Sequence, residues 1–187
     1  MSFKFKSTTI EGLITIEPHY FFDERGYFIK DFEKDIFASN GLPVEFYESN
    51  ESKSKKGTLR GLHFQNNYSQ GKLIRVIKGS VYDVAVDLRA NSKTFGKWEA
   101  FYLSEYEQNM LYIPENFAHG FLTLENDTIF SYKCTNKYSP ADDSGILWSD
   151  KDLAVSWPLE LVNNEIIVSE KDKILQSFKA FRMTLQK

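Results

Sequence analysis

From residue 72 to residue 134 the chain is a succession of short segments with strand periodicity, parted by polar or glycine-bearing turns. Lys72–Lys78 is short and rich in apolar residues, Gly79 supplies a turn, and residues 81–88 follow. In that second segment Val84, Val86 and Leu88 share one face and Asp83, Ala85 and Asp87 share the other, which is the two-residue period of a strand. Residues 98–103 and Met110–Ile113 continue the pattern. Residues 121–124 and Thr128–Cys134 flank Glu125-Asn126-Asp127, whose composition predicts a hairpin loop. Two stretches have helical spacing instead. Residues 31–39 place Phe32, Ile36 and Phe37 on one face and end near the stop signal Asn40-Gly41; residues 171–181 do the same with Ile174, Leu175 and Phe178. Strands at short regular intervals with few helices predict an all-β domain, and periodicity leaves open whether it is an antiparallel sandwich or a barrel.

A chain of 187 residues suits one domain with a real core. No repeat or linker divides it, so one domain over residues 1–187 is expected, with a less regular tail from about residue 173. The 16 Phe and 10 Tyr favour strands and offer surfaces on which a base or a sugar can stack. Net charge is −3 with both signs dispersed, so nucleic acid is not an expected partner. A small anionic ligand needs only a few local arginines. The single cysteine, Cys134, excludes an intramolecular disulfide and a cysteine-based zinc site. Residues 1–17 lack the apolar core of a signal peptide, and no stretch reaches the roughly 20 apolar residues of a membrane span, so a cytoplasmic protein without membrane contact is expected.

Three histidines can be weighed singly: His19, His63 and His119. No His-x-His pair exists, and Gln65 stands two residues after His63 where a cupin metal site would need its second histidine. A set of all three histidines matches no recognised spacing, so metal-independence is the expectation. There is no Gly-x-Ser-x-Gly elbow, Walker loop or dinucleotide fingerprint. Acid–base chemistry by His, Tyr and Lys remains.

Several motifs, in order, resemble the dTDP-4-dehydrorhamnose 3,5-epimerase family. They are Asp23-Glu24-Arg25-Gly26-Tyr27-Phe28, Leu59-Arg60-Gly61-Leu62-His63-Phe64-Gln65, Lys72-Leu73-Ile74-Arg75-Val76, the run from Gly79 to Arg89, and Ile113-Pro114 through His119-Gly120-Phe121. Tyr132-Lys133-Cys134-Thr135 and Ser169-Glu170-Lys171-Asp172 complete the set, which spans nearly the whole chain. The resemblance implies a cupin-like jelly-roll β-barrel with a few short helices, a homodimer formed through exchanged N-terminal strands, and inversion of sugar carbons beside a 4-keto group without a metal or organic cofactor.

The same resemblance assigns roles. His63 is the general base, available as neutral imidazole near neutrality. Asp172 is its partner carboxylate, fixing the tautomer. Lys72 stabilises the developing enolate oxygen. Tyr132 is the general acid on the far face, provided that the side it shares with Phe130 and Cys134 lines the barrel. Arg25 and Arg60 bind the diphosphate, where guanidinium forks match phosphate oxygens. His119 contacts ligand, and Asn50 and Tyr138 touch the nucleotide. Gln65 and Lys171, inside matching motifs, join the expected substrate-binding set. So do Lys30, Glu48 and Asp143, where this chain departs from the commonest pattern: Lys30 stands where many members carry Glu, Glu48-Ser49 replaces Gln-Asp, and Asp143 stands for the acid past the Tyr-x-Pro stretch. All three departures fall in the nucleotide-binding part. A single-position epimerase, a non-catalytic carbohydrate-binding cupin and a metal-dependent cupin oxygenase are the rival readings.

Overall fold

The alternating segments form two sheets packed face to face in a computed structural model, which describes residues 3–185. In chain order the strands are β1 (Lys4–Ser7), β2 (Ile14–Glu17), β3 (Tyr20–Asp23), β4 (Gly26–Ile29), β5 (Glu48–Ser54), β6 (Thr58–Gln65) and β7 (Lys72–Lys78). There follow β8 (Ser80–Asp87), β9 (Trp98–Ser104), β10 (Met110–Ile113), β11 (Phe117–Thr123), β12 (Thr128–Cys134), β13 (Asp143–Gly145) and β14 (Ile167–Val168). Three short helices are α1 (Lys34–Ser39), α2 (Glu170–Lys173) and α3 (Phe178–Thr184). The first sheet runs β1-β2-β10-β7-β12-β5 and the second β13-β6-β11-β8-β9, with β14 added parallel to β6. Strands β3 and β4 make a separate hairpin. This is a cupin-like, double-sheet jelly roll.

Three apolar layers hold it. Between the sheets lie Ile74 and Val76 of β7, Val81 and Ala85 of β8, Phe121 of β11 and Phe130 of β12. Outside the second sheet, Val84 and Val86 of β8 meet Leu153, Phe178 and Phe181 from the C-terminal region. Outside the first sheet, Leu73, Met110 and Ile16 meet Phe37 of α1 and Leu42. Strand β8 is thus buried on both faces, and each fully buried large side chain contributes about 1.5–3 kcal/mol.

The structure corrects several local expectations. Residues 124–127 do not close a hairpin: β11 pairs with β6 and β8, whereas β12 pairs with β5 and β7, so this turn carries the chain from one sheet to the other. Turn chemistry is the same in both cases, and only tertiary pairing tells them apart. Strand β11 begins at Phe117, well before residue 121, because strands on both sides pair with a segment of weak intrinsic propensity. Helix α1 begins at Lys34, and Phe32 reaches Phe37 from outside it, with ring centroids 4.9 Å apart. The helix expected over residues 171–181 is two helices. Ser169 caps α2 and Ser177 caps α3, each hydroxyl accepting a backbone N–H at 3.1 Å. Between them Ile174 is 84% exposed and Gln176 bridges to Ile146. The segment after residue 173 therefore carries α3, anchored through Phe178 and Phe181.

Candidate active site

A cavity of about 420 Å³ lies between the sheets, lined by His63, Lys72, Tyr132, Asn50, Glu48 and Gln65, with Tyr138, Asp143 and Lys171 also in its wall. Its walls come from β5, β6, β7, β11, β12 and β13 together with α2.

His63 sits on β6, and its position depends on a close approach of backbones. Gly61 has φ +127°, and a Cβ there would stand 2.5 Å from Gly120 Cα and 2.8 Å from His119 O, so only glycine fits where β6 shifts register against β11. Asp172 arrives from a segment remote in sequence. The parallel pairing of Ile167 and Val168 with Thr58 and Leu59 brings α2 alongside β6. Asp172 Oδ1 then lies 2.7 Å from His63 Nε2, and Oδ2 accepts the Gly61 N–H at 3.2 Å. Burial pushes the Asp172 carboxyl up, but the His63 contact and the Gly61 N–H outweigh it and hold it below the usual carboxylate value. With Nε2 given to the carboxylate, Nδ1 is the nitrogen of His63 left to act as a base.

Lys72 opens β7 and pairs in register with Cys134. Burial pushes its ammonium below the ordinary lysine value against the opposing pull of Cys134, Asp83 and Asp143, and no hydrogen bond engages it among the described residues. Tyr132 lies between Asn50 and Ile74 in register. Phe130 and Cys134, on the same side of β12, are buried in the interior, so that side lines the barrel and Tyr132 reaches the cavity. Burial raises the Tyr132 phenol above its ordinary value, so it is a proton-bearing group near neutrality. Burial likewise pushes Cys134 up to about 11, leaving an inert thiol.

The remaining expected residues separate into groups. At the mouth, Asp143 accepts from the Tyr138 hydroxyl at 2.8 Å and pairs with Lys171. Glu48 accepts the Tyr138 N–H and takes the Asn50 amide at 3.2 Å. Gln65 lines the cavity, but its amide is spent on the loop, donating to Tyr68 O at 2.7 Å and accepting from Ser139 N at 2.7 Å. Arg60 is exposed and donates to Ser54 Oγ at 3.2 Å. Arg25 and Lys30 are not part of this cavity in one chain. Arg25 pairs with Asp23 at the tip of the β3–β4 hairpin, and Lys30 pairs with Glu33 at 2.6 Å. His19 packs edge-on against Phe21, with centroids 4.6 Å apart, so the three histidines do not converge. Among the described residues no cluster of three or more His, Cys, Asp or Glu side chains could hold a metal ion.

His119 pairs in register with His63 and is buried against Asp83, Nε2 to Oδ2 at 2.9 Å. Burial lowers its basicity below that of an ordinary histidine. Sequence reasoning placed Asp83 only as a strand residue. The signal was there, an acid on a face whose neighbours Val81 and Ala85 are core. An imidazole oriented by a buried carboxylate, an ammonium and a phenol in one cavity can remove, stabilise and return a proton beside a carbonyl.

A family model described as dTDP-4-dehydrorhamnose 3,5-epimerase matches residues 7–180. A dTDP-4-dehydrorhamnose 3,5-epimerase of Methanothermobacter thermautotrophicus is 53% identical over 171 residues, covering 91% of this chain and 92% of that one. The crystal structure of a dTDP-6-deoxy-D-glucose-3,5-epimerase from Legionella pneumophila in complex with dTDP-4-keto-L-rhamnose superposes with a TM-score of 0.93 at 38% identity, covering 98% of this chain and 97% of that one. That of a dTDP-4-dehydrorhamnose 3,5-epimerase from Bacillus anthracis with TDP and PPi bound gives 0.89 at 42% identity, covering 95% and 100%. With a match over nearly the whole chain and identity above half, this protein belongs to the dTDP-4-dehydrorhamnose 3,5-epimerase family.

Proposed function

We propose that the protein epimerises a dTDP-linked 4-keto-6-deoxyhexose at the two carbons flanking the ketone. The observation that carries this reading is the convergence of His63, Lys72 and Tyr132 on one cavity, with Asp172 behind the histidine. His63 Nδ1 takes the proton from the carbon next to the carbonyl. The Lys72 ammonium meets the negative charge that gathers on the carbonyl oxygen, an interaction strongest in the transition state. Tyr132 returns a proton from the opposite face, proton exchange with solvent restores the His63 imidazole and the Tyr132 phenol, and repetition at the second carbon completes the double inversion. Phosphates and base lie toward the mouth, near Arg60, Asn50, Tyr138, Asp143 and Lys171.

The working form in this proposal is a homodimer. Tyr20, Phe21, Phe22, Tyr27 and Phe28 of the β3–β4 hairpin are all exposed, Phe22 to 77%, so both faces of the hairpin present aromatic side chains, and exposed apolar surface so concentrated marks an interface. A second copy that covers the hairpin would also bring Arg25 of one chain toward the mouth of the other, giving it the phosphate-binding place that it lacks within a single chain.

Incubation of a dTDP-4-keto-6-deoxyglucose in heavy water, followed by NMR, tests the reading. Deuterium at both C3 and C5 with inverted products is expected. Deuterium at one carbon only would reduce the activity to single-position epimerisation, and none at either would overturn it.

A further inference from the structure

Behind the cavity lies a second histidine–carboxylate pair that the reaction scheme does not use. His63 and His119 are register partners on adjacent strands, and each gives Nε2 to a buried carboxylate, Asp172 at 2.7 Å and Asp83 at 2.9 Å. Asp83 is fully buried, and its Oδ1 has no hydrogen-bond partner among the described residues. A carboxylate left half-satisfied in an apolar interior is costly unless a cation compensates it. The basic groups near it are few. Lys72 enters from β7 with no hydrogen bond of its own, and His119 and His63 stand on β11 and β6. The other ionisable groups around this cavity are Cys134 and Tyr132 on β12, Glu48 and Glu51 on β5, Asp143 on β13 with its partner Lys171, and Asp172 behind His63.

We propose that Asp83 is a positioning residue of the reaction: it holds the Lys72 side chain as an ammonium at the cavity floor and fixes His119 with its Nε2–H toward the carboxylate. This rests on the role given to Lys72 above and adds what keeps Lys72 charged while it is out of water. The negative charge of Asp83 opposes the deprotonation that burial favours, and as an acceptor-only group it demands the Nε2–H tautomer of His119.

Asp83→Asn keeps the shape and removes the charge. The alkaline limb of its kcat–pH profile should move to lower pH, so that its activity relative to wild type falls further as the pH rises through that limb. A merely structural role would lower activity by the same factor at every pH, and that result, or an unchanged profile, overturns the proposal. Long-range ¹H–¹⁵N NMR of the wild-type protein provides a readout that needs neither the variant nor turnover. His119 should show Nε2 protonated and Nδ1 bare near neutral pH, and the opposite tautomer overturns the proposal even if the variant does not fold. Absence of epimerisation by the wild type would instead count against the function itself.

Discussion

Asp172 reaches His63 across 109 positions of sequence and meets Nε2 at 2.7 Å while also accepting the N–H of Gly61. One carboxylate thus fixes both the imidazole and the strand that carries it. Asp172→Asn should lower kcat by about 10²-fold or more, because the oriented base is lost while the cavity keeps its shape. His63→Ala should lower it by about 10²–10⁴-fold. In both variants calorimetry should find dTDP bound nearly as in wild type, since neither side chain belongs to the nucleotide end of the cavity. Full turnover in either would remove the dyad from the mechanism.

Tyr132→Phe separates the two halves of the reaction. His63 can still take a proton and give it back on the same face, so solvent deuterium should enter the substrate while epimerised product falls by about 10²-fold or more. Parallel NMR measurement of exchange and of product decides this. Loss of both to the same extent would assign Tyr132 to an earlier step.

The β3–β4 hairpin should govern assembly. Phe22→Ser combined with Phe28→Ser is expected to shift the protein toward monomer in sedimentation and to lower kcat/KM by about tenfold or more, because large aromatic side chains dominate interface energetics. Arg25→Ala should leave the dimer intact and raise KM. A double variant that stays dimeric would place the interface elsewhere.

Acid stability turns on a residue outside the cavity. Burial pushes the Asp87 carboxyl up, but Arg89 at 2.8 Å, Ser92 at 2.6 Å and Thr94 at 2.7 Å prevail and hold it at about 2, from an ordinary value of 3.8. The folded value lies below the unfolded one. Its stabilisation is therefore complete above about pH 4 and drains away as pH falls toward 2. Asp87→Asn should cost about 1–3 kcal/mol at neutral pH, with the gap to wild type narrowing below about pH 4. Denaturant titrations across this range measure it, and a gap that does not depend on pH would refute the assignment.

Much of this protein is written locally. Period-two alternation marks β7 and β8 because each strand must present alternate side chains to separate layers, and the ordered motifs around His63, Lys72, Tyr132 and Asp172 carry the family resemblance that implies proton chemistry. What the sequence does not carry is pairing at a distance. The turn at residues 124–127 has hairpin composition, yet it links two different sheets. Residues 171–181 have helical spacing, yet Ser177 starts a new helix because Phe178 and Phe181 must reach the barrel. Asp172 meets His63 only because β14 lies parallel to β6, and Asp83 meets His119 only because their strands pair with that face sealed from water. Local composition sets which conformations are cheap, while register, burial and the approach of distant strands decide which charges end up together.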